Sequence, residues 1–334
     1  VIPATHASRV WARSAAVVLF VLGFLPIANW VPGGRNWPRY ADDVQTWLAG
    51  SAIAAGIAAL YVIAVRRSPV LWRSDGAAGL VRGWARNPRR GDAVLAAGAL
   101  VLYVVTARLV FDARPLLVDE VVQAFQARLF AQGRLSAPLD PVPELFSALH
   151  LVERDGRVFS QFPPGGPAVL ALGELIGAAW LMVPLCGALA VWAFAALARR
   201  LEPERPGVSL LASLLFAFSP FMLFMAGSQM NHVPTLLAIV VAMLALERTT
   251  APAMHASHGW RWALLCGSAL GIAATIRPVD AFAFAVPVGC WLCWRAARDR
   301  RALFALVAAG VGVLVPVACM LWFNLRTTGA PLLF

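Results

Sequence analysis

The chain has 334 residues, of which 60% are hydrophobic and 13% charged, with a mean hydropathy of +0.72. Soluble domains carry roughly 45–50% apolar and about 25% charged residues, so a soluble globular fold is excluded. The formal net charge of +11 points to nucleic acid only if the basic residues form one accessible patch, and they do not.

Apolar runs of about 15–22 residues recur along the chain, each long enough to cross most or all of a hydrocarbon layer of ~30 Å at about 1.5 Å per residue. Spans are predicted at 14–31, 44–65, 93–111, 182–198, 207–227, 233–248, 262–276, 280–294 and 302–323. The fold class expected is all-α, a polytopic transmembrane helical bundle. Arg9 and Arg13 before the first run give it the look of a signal peptide, but no small-x-small cleavage site follows, so it is read as a helix. The first residue is Val1 rather than Met, and Phe334 follows soon after the last span, as in an N-terminal fragment of a longer protein. Residues 1–92 form a first segment of two spans and a basic linker, and 93–334 a second, larger membrane domain.

All 28 basic residues are Arg, a bias that suggests a high-GC, bacterial genome. If the spans alternate, one side of the membrane collects 18 Arg and six acids, and the other ten Arg and eleven acids. By the positive-inside rule the first is cytoplasmic. The basicity is topological, and no nucleic-acid partner is expected. This parity holds only if 165–181 does not cross, so GGPAVLALGELIGAAW is read as a re-entrant or interfacial helix. All five Cys (186, 266, 290, 293 and 319) fall inside predicted spans and read as buried apolar residues. Cys290 and Cys293 form a lone CxxC, which is weak support for zinc or redox chemistry.

The long polar stretch 112–164 lies on the side opposite the Arg-rich loops. It opens with VDEVVQAFQARLF, in which Val118, Val122, Phe125 and Leu129 recur at helical spacing while Gln123, Gln126 and Arg128 take other faces. An amphipathic helix resting on the membrane is expected, followed by Pro138, Pro141 and Pro143, the acidic turn VERDGR and then FSQFPPGGP. Asp119 and Glu120 open that helix. Adjacent carboxylates at a bilayer surface suit a general base, although Asp is also a favoured N-cap and Glu complements a helix dipole.

The acidic pair in VDEVVQAFQARLFAQGRL, the closing FSQFPPGGPAVLALGELIG, the span ending in LARRL, SQMNHVPTLLAIVVAMLALER and GIAATIRPVDAF together resemble the GT-C superfamily of membrane glycosyltransferases. The branch most similar holds protein O-mannosyltransferases and the lipid A aminoarabinose transferase. The resemblance covers roughly residues 93–334. It implies transfer of a sugar from a polyprenyl-phosphate donor to a lipid, glycan or protein acceptor, with inversion, on the outer face of the bacterial cytoplasmic membrane. The first acidic residue of the loop, here Asp119, would be the base, with Glu120 beside it. No cofactor is expected, although Asp119, Glu120 and an acidic partner could hold a divalent metal ion.

Other candidates come from the turns. Arg277, in TIRPVD, could grip the lipid phosphate in a guanidinium fork, or simply snorkel at a helix end. His232 and Asn231, in SQMNHVP, could bind sugar hydroxyls or support the base, or face solvent. Gln161 stands in the loop where relatives often carry Lys or His. Glu174 is a carboxylate in an apolar helix, which defaults to a functional hypothesis unless it reaches water. The competing reading is a transporter or lipid flippase, in which Glu174, Arg277 and broken helices line a path. A third is a non-catalytic assembly subunit.

Overall fold

The computed structural model describes residues 75–140, 148–250 and 259–333. The chain divides into two compact units, Val1–Ala78 and Gly79–Phe334, and almost all described residues belong to the second. The predicted spans at 14–31 and 44–65 lie outside the described residues, as do Pro141 and Pro143.

The basic linker ends in helix α1 (Asp75–Arg86), followed by α2 (Pro88–Leu109). Then come α3 (Val118–Ala131), three short strands, β1 (Ala137–Pro138), β2 (Leu151–Arg154) and β3 (Arg157–Ser160), and α4 (Gly165–Glu174). A 3-10 turn at Ala179–Leu181 leads into α5 (Met182–Leu201). The remainder is helical: α6 (Pro206–Phe218), α7 (Pro220–Gly227), α8 (His232–Thr250), α9 (Gly259–Ile276), α10 (Pro278–Arg298) and α11 (Arg300–Thr328).

Among the described residues, five stretches are long and apolar enough to cross a bilayer: Pro88–Leu109, Ala179–Leu201, His232–Thr249, Pro278–Arg298 and Ala302–Thr328. Many of their side chains face outward although they are Val, Leu or Phe; Phe304, for example, is 75% exposed. An apolar exterior around internally satisfied helices suits lipid rather than water. The chain is a mostly helical, multi-pass membrane protein.

Two predicted spans differ in detail. The run at 207–227 is broken into α6 and α7, bent by 47°, which together would make a sixth crossing. The break lies at Ser219–Pro220: Pro220 supplies no backbone N–H, while Ser219 caps α7 by accepting the Met222 N–H. The bend strands the carbonyls that end α6, and the buried Tyr103 of α2 donates its hydroxyl proton to one of them, Ala217, at 2.7 Å. The run at 262–276 forms α9, outside the five because Trp260, Arg261 and Trp262 occupy its first turn.

The crossing helices pack in the sequence α2, α5, α8, α9, α11, with α10 against α9 and α11. The tightest approach is α9 on α11. A Cβ on Gly267 would strike the backbone of Ala309, one on Gly271 would lie 2.8 Å from the Val313 carbonyl oxygen, and one on Gly312 would strike the Leu264 carbonyl. Small residues four apart let two backbones touch where apolar burial offers no drive, because lipid is as apolar as the interface. Gly267→Val is therefore expected to force α9 from α11 and destabilise by about 1–3 kcal/mol. A thermal melt in detergent reads this as a lower midpoint; an unchanged midpoint contradicts the close contact.

Candidate functional site

The described residues of 112–164 hold a small sheet as well as a helix. Its three strands form an antiparallel sheet in the order β1-β3-β2. Asp155 and Gly156, at φ +50° and +69°, make the two-residue turn of a hairpin, the backbone that an Asp-Gly pair adopts most readily. This turn sets Leu151 opposite Ser160 and Arg154 opposite Arg157. On helix α3 Val118 and Val121 are exposed, while Gln123 and Gln126, expected on an open face, are buried. The polar face turns inward because the sheet needs it. Gln126 donates from Nε2 to the Leu135 carbonyl at 2.9 Å and accepts the Ser160 N–H at 2.9 Å, pinning β3 to the helix.

The hairpin register then delivers His150 to Asp119. One residue beyond the Leu151–Ser160 pair stand His150 and Gln161, joined by the Gln161 N–H to the His150 carbonyl at 3.0 Å. The Gln161 side chain donates from Nε2 to His150 Nδ1 at 2.6 Å. With Nδ1 accepting, the ring proton sits on Nε2, which lies 3.3 Å from Asp119 Oδ1. Phe162 leans on the imidazole at 5.2 Å between ring centroids. His150 has φ +73°, a left-handed conformation that costs a non-glycine residue about 1 kcal/mol or more. The chain thus spends backbone strain to set an imidazole against a half-exposed carboxylate. Sequence reasoning did not single out His150; the Asp-Gly turn was the signal that would have found it.

Asp119 and Glu120 have opposite fates, because neighbours on a helix point about 100° apart. The Asp119 carboxylate is 40% exposed and its Oδ2 makes no hydrogen bond among the described residues. Glu120 is 1% exposed. Its Oε2 accepts the N–H of Leu116 at 2.8 Å and of Leu117 at 3.2 Å, and its Oε1 accepts the Gln229 N–H at 3.2 Å. It caps α3 and ties that helix to the turn between α7 and α8.

Three short segments meet beside this pair. A Cβ on Gly166 would strike the Asn231 side chain, and one on Gly165 would strike Thr275 and Ile276. The two glycines after Pro164 therefore let the start of α4 touch both the Asn231–His232 turn and the end of α9. Asn231 is buried, and its carbonyl accepts the Thr235 hydroxyl proton at 2.8 Å. His232 Nδ1 is buried without a hydrogen-bond partner among the described residues, and the ring interacts electrostatically with Arg277, Asp280 and Asp119. Arg277 is half-buried and pairs through Nε with Asp280. Asp119, Gln161, Asn231, His232 and Arg277 thus come to one end of the bundle.

Glu174 stands apart. It pairs with Arg128 at 3.4 Å, and Arg128 is nine residues along α3 from Asp119, about 13 Å at helical rise. The cysteines divide: Cys186 and Cys266 are buried, whereas Cys290, Cys293 and Cys319 are exposed on the outer faces of α10 and α11, not buried as their apolar surroundings in sequence suggested. Among the described residues no three His, Cys, Asp or Glu side chains converge as a metal site would require. A cleft of about 370 Å³ opens beside Gln161, walled by Arg154 and Phe159 of the hairpin and by Phe323, Asn324 and Thr327 at the end of α11. Phe130 of α3 meets Phe323 edge-on at 5.7 Å, which holds that wall in place.

Compared with known protein families, curated proteins and solved structures, the chain matches none.

Proposed function

We propose that this is a membrane glycosyltransferase of GT-C type, moving a sugar from a polyprenyl-phosphate donor to a lipid, glycan or protein acceptor on the outer face of a bacterial cytoplasmic membrane. The observation that carries the reading is the Asp119–His150–Gln161 chain at one end of a bundle of lipid-crossing helices. The excess of Arg in the loops at the other end supports an outer, periplasmic position for Asp119.

The chemistry follows from the groups present. The acceptor hydroxyl gives its proton to Asp119 Oδ2 as its oxygen attacks the anomeric carbon. The bond from that carbon to the phosphate oxygen breaks on the opposite face, its electron pair leaves with the polyprenyl phosphate, and the anomeric centre inverts. His150 holds the other carboxylate oxygen and fixes its direction. Arg277, held by its pairing with Asp280, stabilises the negative charge building on the leaving phosphate. In this reading Asn231, Gln161 and His232 meet sugar hydroxyls, and the cleft beside Gln161 takes the acceptor.

The bent α6–α7 pair is the feature that favours the rival reading of a transporter or lipid flippase. One experiment separates the two. The full-length protein in proteoliposomes, given polyprenyl phosphate carrying a radiolabelled sugar and a membrane extract as acceptor pool, is expected to move label from the donor fraction and release polyprenyl phosphate. Movement of intact donor between leaflets, with no loss of its sugar, overturns the transferase reading.

A further inference from the structure

A second cluster of charge lies at the opposite ends of the same helices, where the proposed transfer reaction has no use for it. A cleft of about 450 Å³ is walled by the end of α1, the starts of α2 and α6 and the ends of α5 and α8. Four guanidinium groups line it: Arg89, Arg199, Arg200 and Arg248.

Two of the four are matched. Arg199 pairs with Asp92, a carboxylate only 1% exposed that also accepts the Trp84 Nε1 proton at 3.2 Å, and Arg199 lies over the Trp84 ring at 5.4 Å. Gly91 makes this floor possible, because a Cβ there would strike the Trp84 ring. Arg200 pairs with Glu247. The other two are not matched. Arg89 and Arg248 form no ion pair among the described residues, and Arg248 Nε is buried without an acceptor. Arg248 is held in place by stacking over Trp262 at 4.4 Å, within electrostatic range of Arg200 and Arg89 and of Glu247, the carboxylate already paired with Arg200.

Guanidinium groups of like charge repel, and a buried N–H without an acceptor is unfavourable. A rigid floor that holds such groups together suits an anion with several acceptor oxygens, and a guanidinium fork fits phosphate best. Pro206 and Ser209 bring the first turn of α6 to the same cleft, whose dipole adds to the field. The lining of the cleft includes the ends of helices apolar enough to cross a bilayer, and such ends stand near lipid headgroups when the helices span. We propose that this cleft is a binding site for a phosphate-bearing anion, gripped by Arg89 and Arg248 with Arg200 beside them. Glu202 is the one carboxylate in the lining and sets the limit on affinity.

The test uses the purified full chain in neutral detergent and reads binding as a rise in melting temperature and by native mass spectrometry. The probes are inorganic phosphate, short-chain phosphatidylglycerol and short-chain phosphatidylcholine. Phosphatidylglycerol is expected to bind about tenfold or more tightly than phosphatidylcholine if the source is a lipid headgroup. Saturation by inorganic phosphate at equal affinity identifies a free phosphate instead. In either case Arg89→Gln with Arg248→Gln weakens binding about tenfold or more, and Glu202→Gln strengthens it. Arg89→Gln alone, at an exposed side chain, keeps the test open if the double variant does not fold. Equal binding of all three probes, or affinities unchanged by these substitutions, overturns the proposal.

Discussion

Asp119→Asn is expected to lower sugar transfer by about 10²–10⁴-fold, the range contributed by a positioned general base, while leaving the melting temperature close to that of the unaltered protein. The two halves of this expectation rest on separate observations. The loss of rate follows from chemistry: an amide keeps the shape of the carboxylate but cannot take the acceptor proton. The unchanged stability follows from position, since Asp119 is half-exposed and its one close partner among the described residues is His150 at 3.3 Å. His150→Phe is the informative companion. It leaves the carboxylate but releases Oδ1, so the rate falls less than in Asp119→Asn, and the fall appears in kcat rather than in KM for the donor. Transfer at the original rate by a well-folded Asp119→Asn protein removes Asp119 from the chemistry.

The bundle was legible in the sequence because lipid imposes one simple demand, long apolar helices, and runs such as 93–111 and 302–323 meet it without ambiguity. The charge parity of the loops requires that 165–181 not cross, and the helix that forms there, α4, has ten residues and is about 15 Å long, half the hydrocarbon thickness. The interior of 112–164 was less legible. Periodicity assigned Gln123 and Gln126 to an open face, whereas the sheet recruits Gln126 as a two-sided pin. No rule of amphipathicity contains that, because the partner, Ser160, lies 34 residues away. His150 could have been reached from local chemistry: an Asp-Gly turn at 155–156 fixes the register, and counting outward from it makes His150 and Gln161 neighbours across the hairpin. What counting cannot supply is the third member, since Asp119 arrives by tertiary packing of α3 on β3.

Glu120→Gln separates the roles of the acidic pair. The carboxylate accepts three backbone N–H groups, two from the segment that starts α3 and one from Gln229. A glutamine oxygen set toward Leu116 and Leu117 keeps the first two, but its amide then points N–H groups at the Gln229 N–H, donor against donor, in a buried site. Losing a charged acceptor and leaving a buried donor unmatched costs about 1.5–3 kcal/mol, and the midpoint of unfolding in detergent should fall by several degrees. Glu120→Ala leaves all three donors unmatched and should fall further. Gln229 begins the turn that carries Asn231 and His232, so the same substitution loosens the tether between the proposed base and the residues set to meet the sugar. Transfer by Glu120→Gln should therefore fall mainly through a higher KM for the donor, with a smaller loss in kcat than Asp119→Asn. The opposite pattern, an unchanged midpoint with kcat abolished, would assign Glu120 to the reaction itself and Asp119 to its support.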